Sequence, residues 1–307
     1  MHVDGLLRVG SFIATEFHRT IRKVTEMATK KTAPKKTAPK KAKGGFDPSK
    51  YICNVQPSKD TEHDWSYATS VTAGALSAVA APPSAVDLRQ PWWTISDQEQ
   101  TGSCVGWAAA DGVGRYQMER AGKIAETQSL SARFIWMASK ETDSFTTRPE
   151  SFVEGSGTTL KAAMDVARRY GFALADDLPF HIQTNMYLGD EDAFFARCAM
   201  RKISAYFNLQ KNLGNWKIWL ATKGPLLVGL SVDSGWDNAT ANGGVVDTFD
   251  PGSVRGGHAV TVVGYRADGR FIVRNSWGTN WGDRGFAYVS PSYINAGFFN
   301  ESYGVTI

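Results

Sequence analysis

Cysteine is scarce in this sequence: Cys53, Cys104 and Cys198 are the three among 307 residues. So small and odd a number argues against a disulfide framework and fits a reducing compartment, so a cytoplasmic rather than a secreted protein is expected. No Cys-x-x-Cys pair and no Cys/His cluster has the spacing of zinc ligands, and neither a metal nor a cofactor is expected. Long apolar runs are missing too. A membrane-spanning helix takes about 20 mostly apolar residues, and no such stretch occurs. The early GLLRVGSFIATEF, residues 5–17, is interrupted by Arg8 and lacks a small-residue cleavage site, which makes it a poor secretory signal. Met27 opens MATKKTAPKK and is an alternative start to Met1.

Acidic residues are sparse in one region only. Residues 1–45 hold 11 Lys/Arg against 3 Asp/Glu, whereas the remainder holds 23 against 27. The overall charge of +4 therefore conceals a basic arm on a mildly acidic globule. Within the arm, residues 30–43 read KKTAPKKTAPKKAK. Lysine repulsion, proline and the lack of anything apolar to bury predict disorder. Such a segment serves either as a solvated linker or as a counterion-releasing contact for nucleic acid or another polyanion. No aromatic residue interleaves the lysines, so base stacking is not supported. The expected organisation is a tail over 1–45, a linker or short pro-like segment over 46–85, and a globular domain over 86–307.

What is present in the globule is ordered by type. SCVGWAAADGVGRYQMER, residues 103–120, reads as a helix despite three glycines. TTLKAAMDVARRY, residues 158–170, is amphipathic, with Thr158 or Thr159 as its cap and Gly171 as its stop. LGNWKIWLAT, residues 213–222, suggests a further helix. Strands follow: LLVGLSV (226–232), HAVTVVGYR (258–266), GRFIVRN (269–275) and GFAYVS (285–290), rich in Val, Phe and Tyr and parted by turn residues. Helices first and strands second predict an α+β fold, arranged as two lobes with a cleft between them.

Three segments carry chemistry. Cys104 follows Gly102-Ser103 at the start of the first helix, where the positive dipole end favours thiolate. His258 opens a strand after two glycines, which can bring its ring close to the other lobe. Asn275, seventeen residues later in RNSWGTNWGDRGF, can orient an imidazole, and Trp277 and Trp281 can shield that contact from water. Each alone has a plainer explanation: a packed thiol, a structural histidine, a turn. Their order and setting make the case. His63 and His181 have no motif around them and read as structural or surface residues.

DQEQTGSCVGWA, GGHAVTVVGY and RNSWGTNWGDRGF together resemble the papain-like cysteine peptidases, over roughly 220 residues from Val86 onward. The resemblance implies a two-lobe fold, with a helical first lobe and a β-barrel-like second one. It implies a peptidase acting on peptides or proteins, with Cys104 as nucleophile, His258 as imidazole and Asn275 as orienting amide. It also makes Gln98, six residues before Cys104, the side-chain oxyanion donor in preference to Gln100. Gly157 in EGSGTTLKAAM is the position for backbone pairing with a peptide. The sequence departs from the family at Glu99, where a glycine is usual, at Thr101 in place of a disulfide cysteine, and at Val105 in place of tryptophan. The long helical prosegment of the plant and lysosomal members is not recognisable in residues 46–85, so the chain looks closer to bacterial members. Rival readings are an inactive papain-like binding module, a transglutaminase-like acyl transferase, for which an Asp would be expected in place of Asn275, and a polyanion-binding protein acting through its lysine tail.

Overall fold

A computed structural model describes residues 46–77, 81–143, 154–182 and 185–307. The basic tail expected over 1–45 lies outside the described residues. The elements, in chain order, begin with α1 (Tyr67–Thr72) and the short strand β1 (Val86–Asp87). Helix α2 follows in three consecutive stretches, Cys104–Gly106, the π-helical Trp107–Gly114 and Arg115–Arg120. Next come α3 (Ala132–Thr142), α4 (Leu160–Arg169), α5 (Glu191–Ala199), β2 (Ala205–Asn208), α6 (Leu213–Thr222) and β3 (Leu226–Val232). The chain closes with α7 (Ser234–Asp237), β4 (Val245–Val246), β5 (Gly256–Tyr265), β6 (Phe271–Arg274), β7 (Phe286–Val289), α8 (Pro291–Gly297) and β8 (Phe298–Thr306).

Local chemistry sets these boundaries. Thr159 caps α4, its hydroxyl accepting the Ala162 N–H at 3.3 Å. Leu160, Ala163, Met164 and Ala167 then fall on one buried face, while Arg168 and Arg169 stay in solvent. Strand β5 is buried along almost its whole length, which is why HAVTVVGY reads as a continuous apolar run rather than an alternating one.

The sheet runs β2-β8-β3-β5-β6-β7-β4, with β1 paired to β5 off this path. Neighbours are antiparallel except β4 and β7. The expected α+β fold is present. Among the described residues the path of the sheet is open: its end strands, the four-residue β2 and the two-residue β4, do not pair with each other.

Apolar side chains collect in two main cores. One joins α2, α3 and α4 around Val105, Phe134, Leu160 and Met164. The other lies on the sheet around Trp216, Trp219, Val228, Val262 and Trp277. They meet where α2 crosses β5. There the Thr261 hydroxyl donates to the Ala108 carbonyl at 3.1 Å. A Cβ on Gly112 would come within 2.0 Å of Thr261 Oγ1. The glycine that weakens the helix as a local signal is what lets helix and strand touch.

Candidate active site

Cys104 is the first residue of α2 and is packed on β5. The backbone N–H groups of Ala259 and Val105 lie near its thiol and favour the thiolate against burial. Ala259 directly follows His258, so the fold brings the thiol and the imidazole to one place from opposite lobes. His258 pairs with Leu230 in the sheet. Its Nε2 lies 2.7 Å from Asn275 Oδ1. The same oxygen accepts the Ser276 N–H at 2.8 Å, so it is an acceptor and the neutral ring carries its proton on Nε2. Nδ1 is left buried, with a free lone pair and no hydrogen-bond partner.

The two tryptophans expected to shield the His258–Asn275 contact are both buried. Trp277 packs against the imidazole at 4.8 Å between centroids. Trp281 stands behind it, 5.8 Å from Trp277. The second ring near His258 is Trp236, at 6.5 Å.

Gln98 is fixed from both ends. Its N–H donates to Ser276 O at 2.8 Å, and its side-chain Oε1 accepts from Ser276 Oγ at 2.9 Å. That leaves Nε2 to donate, to Thr101 O at 3.1 Å and toward Ile52 O at 3.5 Å. Gln100 is exposed. Glu99 adopts φ 55°, the left-handed conformation that a glycine would take without strain, and its N–H is held by Asp97 Oδ1 at 2.8 Å.

The Ile52 carbonyl belongs to a strand of chain that the sequence did not announce. Residues 51–55, YICNV, lie across the site. The Val55 N–H donates to Gly257 O at 3.1 Å, and the Asn54 side-chain amide donates to Gly155 O. A Cβ on Gly256, which stands at φ 148°, would fall 1.9 Å from Cys53 O. Gly157 lies under the same strand: a Cβ there would sit 2.4 Å from Asn54 Oδ1. Beneath this cover Cys104, His258 and Gln98 are 0 % exposed and Asn275 1 %. Downstream, Ser58 N–H is bound by Glu301 at 2.8 Å and Lys161 bridges Asp64 at 2.7 Å. The segment expected to be a linker or a short pro-like stretch thus makes side-chain and backbone contacts with the domain at Gly155, Gly257, Glu301 and Lys161.

The pattern of the papain family cysteine proteases matches residues 82–304. The chain belongs to that family. It is similar to procathepsin L of Felis catus, 26 % identical over 69 % of this chain and 62 % of the relative. It is likewise similar to cathepsin K of Mus musculus, 26 % identical over 70 % of this chain and 61 % of the relative. It thus spans about three fifths of the length of these curated relatives. In fold it resembles xylellain, a cysteine protease from Xylella fastidiosa, with a TM-score of 0.68 at 23 % identity, covering 84 % of this chain and 96 % of the other. Digestive procathepsin L2 of Tenebrio molitor gives 0.63 at 20 % identity, covering 85 % and 81 %.

In this papain-family chain, burial decides the protonation of the covered pair. It pushes the Cys104 thiol up to about 11, and it pulls the His258 imidazole down to about 3 against a smaller upward pull from Asn275. Under the cover both groups are neutral. All three cysteines carry free thiols. His63 and His181 are exposed, beside Glu62 and Glu99 respectively. Among the described residues no cluster of His, Cys, Asp and Glu is placed to hold a metal, and no helix is long and apolar enough to cross a membrane.

Sequence reasoning missed the covering strand, Ser276, Trp236, Asp97 and Arg255. YICNV carries no motif, and its only signal is five residues of mostly β-forming type. Arg255 stands in RGGH, where the glycines and the histidine draw attention away from it.

Proposed function

We propose that this chain is a cysteine peptidase that hydrolyses peptide bonds and that residues 51–55 hold it latent. The observation that carries this reading is that Gln98 Nε2, bound at 3.1 Å to Thr101 O, also reaches toward the carbonyl of Ile52 in the covering strand at 3.5 Å, beside a His258–Asn275 contact of 2.7 Å. A substrate would place its own carbonyl where that of Ile52 lies. Removing the cover readmits water and relieves the burial that keeps both groups neutral. Cys104 at the start of α2 then becomes a thiolate as His258 takes its proton on Nδ1.

The thiolate attacks the carbonyl carbon, and the oxyanion is held by Gln98 Nε2 and the Cys104 N–H. Such a donor contributes ~10²–10³ in rate. The C–N bond breaks as His258 gives its proton to the departing amine. Water, deprotonated by His258, then cleaves the thioester and restores the thiol. Asn275 keeps the ring in the tautomer that makes both transfers possible.

An intact Cys/His/Asn/Gln set speaks against an inactive binding module. Residues 30–43 are assigned weak contact with polyanions on their charge alone, and the free thiols favour a reducing compartment. Incubating the full-length chain, Cys104→Ala and Tyr51→Ala with a panel of quenched peptides under reductant tests the main reading. Hydrolysis is expected, faster for Tyr51→Ala than for the unaltered chain, and none from Cys104→Ala. A rate that survives the loss of Cys104 would overturn the assignment.

A further inference from the structure

One flank of the cleft holds a built pocket outside the catalytic set. Tyr51 lies face to face on Trp277, with centroids 4.8 Å and planes 17° apart. Its hydroxyl reaches past the indole to within 3.1 Å of Asp97 Oδ2 and 3.1 Å of Trp277 O. Burial and the Asp97 charge push the Tyr51 phenol above its ordinary range, so it stays protonated and donates. Arg255 closes the pocket from the other side. Its Nη1 is 2.8 Å from Tyr51 O, and its guanidinium lies 5.4 Å from the centre of the Trp277 ring. Asp237 holds Arg255 in place, with Nε–Oδ2 at 2.9 Å. The ring, the hydroxyl and the main-chain carbonyl of one tyrosine are each met by a different group.

The pocket's position gives it a meaning. Trp277 borders the His258 imidazole, the group that hands a proton to the departing amine. Gly155 and Gly157 meet the covering strand further along, at Asn54. The Trp277 flank is therefore where the leaving half of a substrate lies, and the cover, in which Tyr51 precedes Ile52, crosses the cleft in the opposite chain direction to a substrate.

We propose that Trp277, Asp97 and Arg255 form a subsite selecting tyrosine on the leaving-group side of the bond to be cut, and that Tyr51 fills it in the covered form. The effect on rate rests on the peptidase reading; the binding does not. Indole stacking accepts any aromatic ring, so discrimination falls to Asp97. A phenylalanine would bring no proton to that carboxylate, and an acidic residue would be repelled by it. A hydrogen bond to a charged group is worth roughly tenfold or more in such a choice. Arg255 flanks the ring and meets the main chain of the cover, so it takes no part in the choice between side chains.

Two measurements on the full-length chain test this. In Tyr51→Ala, quenched peptides differing only in the residue after the scissile bond are expected to give kcat/KM about tenfold higher for Tyr than for Phe, and lowest for Glu. Adding Asp97→Ala should bring the Tyr/Phe ratio to about one, and Asp97→Asn, which still accepts, should keep part of it. Equal rates for Tyr and Phe, or a ratio that survives Asp97→Ala, overturn the subsite. The second measurement is calorimetric titration of Cys104→Ala/Tyr51→Ala with Tyr-Ala-amide and Phe-Ala-amide. Several-fold tighter binding of the tyrosyl peptide supports the pocket, and equal or undetectable binding of both sinks it. If no peptide is hydrolysed, the peptidase reading fails while the titration still decides the pocket. Tyr51→Val, which keeps a β-forming residue but brings no ring to stack on Trp277, replaces Tyr51→Ala in both measurements if the latter does not fold.

Discussion

Arg274 Nη2 on β6 lies 2.7 Å from Asp111 Oδ2 on α2, and both side chains are buried. Arg115 Nη1 meets the other carboxylate oxygen at 3.2 Å. One acid thus stands between two buried cations, and it ties the helix that begins with Cys104 to the strand that ends one residue before Asn275. Asp111→Ala would strand two guanidinium groups in the interior. The expected cost is about 3–5 kcal/mol of unfolding free energy, read by urea titration. A loss below about 1 kcal/mol would show that water or other groups compensate both arginines.

Glu99 is a residue in a glycine's conformation. At φ 55° its Cβ is strained, and the compensation within the structure is the Asp97 bond to its N–H, which any residue keeps. Among the described residues its side chain pairs with the exposed His181, a contact of little weight. Glu99→Gly is therefore expected to raise stability by about 0.5–1 kcal/mol, and Glu99→Val to lower it by a similar amount. Thermal melts of the two variants moving the same way would refute the strain argument.

Much of this site was legible because its residues sit in short, chemically loaded strings. Cys104, His258, Asn275 and Gln98 were each marked by their neighbours; the structure joins His258 to Asn275, links Gln98 to Ser276 beside it, and buries all four. The helices and central strands were legible through caps and apolar periodicity, as at Thr159 and along β5. The end of the sheet was not, because β4 is two residues of ordinary Val-Val whose partner, β7, lies more than forty residues further along the chain. The covering strand was hidden for a different reason. Its bonds go from backbone and from Asn54 to glycine carbonyls more than a hundred residues away, at Gly155 and Gly257. Local sequence carries no trace of such pairing. Phe46 and Tyr51, which stack on Trp277, look like any two aromatics in a linker.

Gln98 is expected to separate catalysis from binding. Its amide strengthens its bond as charge builds on the carbonyl oxygen. In a Tyr51→Ala background, Gln98→Ala should lower kcat by ~10²-fold with a smaller change in KM. The exposed Gln100 should change little when replaced. Because Ser276 Oγ loses its partner in Gln98→Ala, a melting curve must accompany the kinetics. A loss confined to KM would mean that Gln98 serves the covering strand and not the transition state.

The protonation of the pair should change with the cover. In the covered form the His258 imidazole is depressed from 6.5 to about 3. A depressed base stabilises the fold above its unfolded pKa, so this contribution is present above pH 6.5 and is lost as pH falls toward about 3. The Cys104 thiol is raised from 9.0 to about 11, so its contribution is present below pH 9 and is lost as pH rises toward about 11. Stability is expected to be flat between these limits and to fall on both sides. Acid, by charging His258, favours the uncovered state. Iodoacetamide should then label Cys104 slowly in the unaltered chain at pH ~7, since a neutral buried thiol is a poor nucleophile. In Tyr51→Ala the thiol gains a charged partner and labelling should quicken, with selectivity over Cys198 even at pH ~6. His258→Ala in that background should remove the selectivity, because no imidazolium remains to hold the thiolate. Rapid labelling of Cys104 at pH ~6 in the unaltered chain would mean that residues 51–55 do not cover the site in solution.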